Sequence, residues 1–267
     1  MLKSWRLGTL LGFPVEINVS FLFLLGVVFL AFGGIAGLVI VGIAFGSVVL
    51  HELGHAIVAR RLGVGISGIE LGFLGGAAKM TDMPRTANHE IAIAAAGPAV
   101  SLVLAGIGMG LGSVLAVPLI STIGWINLVL AGFNLIPALP MDGGRILRAA
   151  LARRMSFVKA TDASVQVSRA VAILFGLWAL TGGPFQLLIL APFLWLMGTR
   201  EKVMARMIEM HQGHGGYPGG SPRAGDGVEV LGRGAWEQRD RGPFGGASPK
   251  RYTITQVGGR LVIQPLD

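Results

Sequence analysis

The stretch Val48-Val49-Leu50-His51-Glu52-Leu53-Gly54-His55-Ala56-Ile57-Val58 decides how the chain is read. It carries H-E-x-x-H inside an otherwise apolar, helix-like run. On an α-helix, residues i and i+4 lie on one face, one turn apart. His51 and His55 can therefore offer two imidazole nitrogens to a single cation, at the roughly 2.0–2.1 Å that zinc requires. Glu52 stands beside them, placed to take a proton from a metal-bound water. Surface histidines on an amphipathic helix would need a polar face, and this segment has none. Ionisable side chains set in so apolar a segment are costly without a partner or a task.

The surroundings are of membrane grade. Of 267 residues, 52% are hydrophobic and 13% charged, where soluble domains carry about 25% charged residues. Mean hydropathy is +0.68, and the 42 glycines fit closely packed membrane helices. There is no cysteine, so a metal must take nitrogen and oxygen ligands. The net charge of +8 does not point to nucleic acid, because the basic residues sit between apolar runs rather than on one soluble face. No cleavable signal peptide is expected: the apolar run after Lys3 and Arg6 begins only near Val15 and lacks a small-residue cleavage site.

Residues 17–50 carry no charge. As one helix they would extend about 51 Å, against a hydrocarbon core of about 30 Å. Two spans with a turn at Gly33-Gly34 fit better: 15–32, and 36–61 with the histidines. Arg60-Arg61 mark the exit of the second span, which puts the histidines about 8–14 Å inside that face. Residues 64–86 break the helical pattern and read as a hairpin turning at Gly75-Gly76. Its edge cannot face lipid and is suited to pairing with an extended peptide. A plain structured loop is the competing reading. Further spans are expected at 88–115, kinked by Pro98, and at 117–136, 165–180 and 184–197. His89 reads as an interfacial residue. Residues 201–267 form a tail, flexible over 211–250 with His211 and His214 in the linker, and with a short hairpin over 251–266.

The fold class is thus an all-α polytopic membrane protein of about six transmembrane helices, with a small membrane-associated β-hairpin or sheet after the second. Lys and Arg of residues 1–206 fall in four groups, 3–6, 60–85, 145–169 and 200–206. Six spans put all four groups on one side, which the positive-inside rule makes cytoplasmic, with both termini there.

A third ligand is needed, since a catalytic zinc usually has three protein ligands and an open position. Asp142 stands in Asn134-Leu135-Ile136-Pro137-Ala138-Leu139-Pro140-Met141-Asp142-Gly143-Gly144. The residue chemistry leaves it open whether Asp142 is that ligand or the Asp of an Asp-Gly turn.

Three motifs, H-E-L-G-H at 51–55, A-G-P-A-V at 96–100 and N-x-x-P-x-x-P-x-D-G-G at 134–144, resemble in type and order the site-2 protease family of intramembrane zinc metalloproteases. The resemblance covers roughly residues 10–200. It implies one zinc per chain held by His51, His55 and Asp142, with Glu52 as catalytic base. Asn134 matches the family's asparagine near the site, expected to touch substrate or the polarised carbonyl. It further implies a zinc metalloendopeptidase of the inner membrane performing regulated intramembrane proteolysis. Its partners would be the bilayer and single-span substrates such as anti-sigma factors or membrane-bound regulators. No PDZ-like insertion has room between residues 61 and 134. The alternatives are a catalytically silent adaptor binding client helices, which would lack a ligand or the base, and a metal transporter, which would show repeated halves.

Overall fold

The computed structural model describes residues 4–19, 21, 29, 34–72, 75–212, 251–257 and 260–266. In chain order the elements are β1 (Ser4–Leu10), β2 (Phe13–Asn18), α1 (Ile35–Arg61), β3 (Ile66–Gly72), β4 (Gly75–Met80), α2 (Ala87–Val114), α3 (Pro118–Asn134), α4 (Asp142–Ala152), α5 (Phe157–Leu180), α6 (Leu187–Gln212), β5 (Arg251–Val257) and β6 (Arg260–Leu266). Two compact units are present, Met1–Gly220 and Ser221–Asp267. The second contains the antiparallel pair β5–β6, with Ile254 opposite Ile263.

Gly37–Arg61, Ala87–Val114 and Phe157–Leu180 are long and apolar enough to cross a membrane; Pro118–Asn134 is apolar but shorter. Their outer faces carry exposed aliphatic and aromatic side chains such as Val103, Ile107, Leu174 and Trp178, as lipid-facing surfaces do. The expected first span, 15–32, begins differently: residues 13–18 are strand β2, and most of the remainder lies outside the described residues.

The sheet is larger than a hairpin. Its order is β1-β2-β3-β4. β1 and β2 are antiparallel, as are β3 and β4, while β2 and β3 run parallel with Val15 opposite Ile69. Parallel neighbours need a long connection, and α1 lies within it. The helix that carries the histidines is thereby laid against the sheet. Leu53 and Ala56 of α1 pack with Phe13 and Ile69 in one buried cluster. Gly75 and Gly76, expected as the turn, are instead paired in β4 with Gly72 and Leu71.

Lys79 of β4 fastens three strands, reaching Glu70 of β3 at 2.8 Å and Glu16 of β2 at 3.3 Å. The hydrogen bond from Lys79 holds the Glu70 carboxyl below the usual carboxylate range, with Asn18 adding to it.

α1 stops where its sequence says it must. Gly63 has φ 73°, Gly63 N–H donates to Arg60 O and Val64 N–H to Ala59 O. This pair of bonds is a Schellman closure with glycine in the left-handed position, and Arg60 and Arg61 in the last turn complement the helix dipole. α2 is capped at its start by Thr86, whose hydroxyl accepts from His89 N.

Residues 135–141 form a loop that is buried at Ala138, Leu139 and Met141 while Leu135, Pro137 and Pro140 stay exposed. Ala138 and Leu139 are wholly buried. Leu139 N–H donates to Ser168 Oγ at 2.8 Å, and Ala138 and Met141 pack against Ala172, Ala191 and Leu194 of α5 and α6. The chain then turns directly into α4 at Asp142. α5 starts at Phe157, earlier than the apolar run beginning at 165, and α6 runs past residue 200 to Gln212. Their added turns are basic and acidic, so hydropathy alone does not reveal them.

Candidate metal centre

His51 and His55 face α2 and α4. Each imidazole is anchored by its Nδ1: His51 to Ser101 Oγ at 2.9 Å and His55 to Ile93 O at 2.6 Å. A carbonyl can only accept, so Nδ1 of His55 bears a proton and its neutral ring presents the Nε2 lone pair. Both Nε2 atoms lie 3.1 Å from one oxygen, Asp142 Oδ2. All three side chains are buried, at 2%, 3% and 7% exposure.

Two imidazole Nε2 atoms and a carboxylate oxygen converging in a buried space form a donor set that a divalent cation would satisfy. Tetrahedral zinc with bonds of about 2.0–2.1 Å separates its ligands by about 3.3 Å, close to what is found. Outer hydrogen bonds that fix ring orientation are the usual companions of metal-ligating histidines. The residues present therefore fit a divalent metal of zinc's preferences. Ser101→Ala is expected to weaken metal affinity about 10–100-fold, measured by competition with a chromophoric chelator.

The close approach depends on Gly97. A Cβ there would sit 2.6 Å from His51 Nε2 and collide with the His55 ring. Glycine is the residue type that lets α2 pass under both imidazoles. At the start of α4, a Cβ on Gly143 would strike the carbonyl oxygens of Leu135 and Ile136. The Asp-Gly-Gly run thus lets the helix begin against its own preceding loop, which brings the Asp142 carboxylate to the histidines.

Glu52 lies one step outward. A carboxylate oxygen lies within 4.8 Å of an imidazole nitrogen of each histidine, and Oε2 accepts from Ala78 N of β4 at 3.0 Å. A cavity of about 210 Å³ opens beside it, bounded by His55, Asp142, Asn134, Arg145 and the β4 residues Gly76, Ala78 and Met80. Asn134 reaches the cavity wall, with one amide hydrogen donated back to Leu130 O at 3.0 Å. The structure thus brings His51, Glu52, His55, Asp142 and Asn134 together. His89 stands at the first turn of α2, outside the cluster of ligand-type residues at 51, 52 and 55.

Sequence reading alone did not single out the supporting residues. Ser101 and Ile93 O belong to α2, about 40–50 positions from the histidines they hold. Arg145 read as one member of a basic run. The A-G-P motif was a usable signal for a close helix contact, but not for what the contact protects.

Fold and site together define a protein with membrane-length helices and a buried cluster of two imidazoles and a carboxylate whose chemistry suits a metal. The chain belongs to peptidase family M50, whose family model matches residues 38–117 and 113–175. It is 37% identical over 216 residues to a zinc metalloprotease of Methanocaldococcus jannaschii, covering 78% of this chain and 62% of that protein. It is 29% identical over 143 residues to stage IV sporulation protein FB of Bacillus subtilis, covering 52% of this chain and 50% of that one. A solved structure, the site-2 protease from Methanocaldococcus jannaschii, matches with TM-score 0.60 and 35% identity over 75% of this chain and 95% of that chain. The chain therefore spans half to three fifths of the length of these two curated relatives.

Proposed function

We propose that this protein is a zinc metalloendopeptidase of the site-2 type, hydrolysing a peptide bond of a membrane-protein substrate within or near the bilayer. The observation that carries the reading is the convergence of His51 Nε2, His55 Nε2 and Asp142 Oδ2 at 3.1 Å, with Glu52 on the cavity side. His51, His55 and Asp142 would hold the zinc. When bound, zinc supplies a Lewis acid that acidifies water and polarises a carbonyl. Glu52 accepts the proton of the attacking water and returns it to the leaving amine. Its bond from Ala78 N fixes the carboxylate's direction before substrate arrives.

A transmembrane helix hides its carbonyls in internal hydrogen bonds, so the scissile segment must be extended when it reaches Glu52. β4 is the last strand of the sheet, and Gly76, Ala78 and Met80 border the cavity. An extended segment laid along that edge gains backbone hydrogen bonds and passes in front of Glu52. Asn134, which lines the same cavity, is the candidate contact to the substrate backbone.

The six-span topology with both termini cytoplasmic in the inner membrane rests on the alternation of basic and bare connections. Substrates of the single-span type, anti-sigma factors and membrane-bound regulators among them, rest on family membership. In reconstituted vesicles, a single-span reporter should be cut by the zinc-loaded protein. Cleavage should stop when the metal is stripped and return with one equivalent of zinc. Undiminished cleavage by metal-free protein would refute the reading.

A further inference from the structure

The cavity wall holds a cation that none of these roles uses. Arg145 lies one helical turn after Asp142, on the same face of α4. Arg145 lines the same space as Glu52, His55 and Asn134. The nearest acid is Asp142, with Arg145 Nη1 3.9 Å from Oδ1. That is beyond hydrogen-bond length, and it involves the carboxylate oxygen turned away from the imidazoles. Arg145 makes no side-chain hydrogen bond to any described residue. The contrast with Arg148, one turn further along the same helix, is direct: Arg148 bonds Glu90 and Glu201 at once. A guanidinium has five N–H donors. Leaving them uncommitted beside a buried centre makes sense where an oxygen arrives later.

We propose that Arg145 receives the scissile carbonyl oxygen as that oxygen takes on negative charge, and so stabilises the transition state directly. The proposal rests on the peptidase reading above and adds a catalytic residue to it. Three groups would then divide the work around the bond. Glu52 handles the water proton, Arg145 faces the carbonyl oxygen, and the Ala78 edge holds the backbone in line. During attack, the water oxygen bonds to the carbonyl carbon, the C–O π pair moves to the oxygen, and Arg145 donates N–H bonds to it. On collapse the C–N bond breaks and Glu52 returns its proton to nitrogen, so atoms and charges balance. Preorganised donors of this kind act where solvent is excluded and need no reorganisation during the reaction.

The rival role is that Arg145 merely steadies the Asp142 carboxylate. The two roles differ in what they move. A donor to the developing oxyanion changes kcat and leaves KM and zinc affinity alone. Support for Asp142 changes zinc affinity first.

The test uses the full chain in detergent with Arg145→Gln and Arg145→Lys, with zinc affinity measured by chelator competition and unfolding followed in parallel. Arg145→Gln should lower kcat about 10²–10³-fold, the loss typical of removing one such donor, with KM and zinc affinity unchanged. Arg145→Lys should recover part of it. A phosphinic peptide, which carries a tetrahedral anion, should lose affinity for the zinc-loaded Arg145→Gln protein in step with the fall in kcat/KM. Wild-type kcat in Arg145→Gln, a loss confined to KM, or a parallel loss of zinc affinity would each overturn the proposal. Absence of cleavage by the zinc-loaded wild type would instead overturn the peptidase reading beneath it.

Discussion

Glu52→Gln is expected to lower turnover by at least about 10²–10⁴-fold, the range that a positioned general base contributes, while zinc stays bound at one per chain. Glutamine keeps the shape of glutamate, and its carbonyl oxygen can still accept from Ala78 N, so β4 should hold its place. What the amide cannot do is take the proton of water at neutral pH. Metal content should not follow activity, because Asp142 rather than Glu52 is the carboxylate against the two imidazoles. Single-turnover cleavage of a reporter, with zinc measured on the same samples, separates the two effects. Cleavage at the wild-type rate would remove Glu52 from the mechanism. Loss of zinc together with cleavage would make Glu52 a ligand instead.

The second large effect concerns stability. Arg148 of α4 is buried between Glu90 of α2 and Glu201 of α6, and its guanidinium lies over the Phe157 ring at 5.0 Å. Four helices meet at this one cation, about two turns from Asp142. Arg148→Met leaves the buried Glu90 without a countercharge. Breaking a buried pair from one side costs about 3–5 kcal/mol, so unfolding in mixed micelles should fall by that order. Adding Glu90→Gln should restore much of the loss, because the stranded charge is then gone. The more open pair Lys202–Asp162, 3.1 Å apart, should be worth at most about 1 kcal/mol when broken. Equal losses at the two sites would show that the buried network has no special part in holding α4.

What could be read in advance follows from how local each signal is. His51, Glu52 and His55 lie within one helical turn, so their spacing alone predicts a shared face. The limits of α2 follow from the break at residues 64–86 and from the long apolar run after it. Strands β1 and β2 escaped notice for a physical reason. Every residue of Ser4–Leu10 is exposed, so β1 shows no inward-outward alternation, and β2 runs without a break into an apolar stretch that reads as a span. Its parallel partner β3 lies about 50 residues on, a pairing that no local pattern announces. Asp142 sat between two readings because an Asp-Gly-Gly run suits a turn as well as a ligand. The loop before it, seated on α5 and α6 through Ala138, Leu139 and Met141, is what turns it to the histidines. Arg148 illustrates the limit: its partners at positions 90 and 201 are far away in sequence, and nothing near it marks it as buried.

X-ray absorption at the zinc edge on the purified chain tests the centre most directly. The account predicts one zinc per chain with two imidazoles and oxygen ligands at about 2.0–2.2 Å. It further predicts loss of one imidazole's scattering in His51→Ala and a sharp fall in affinity in Asp142→Ala. Zinc bound with unchanged affinity and an unchanged spectrum in Asp142→Ala would contradict it.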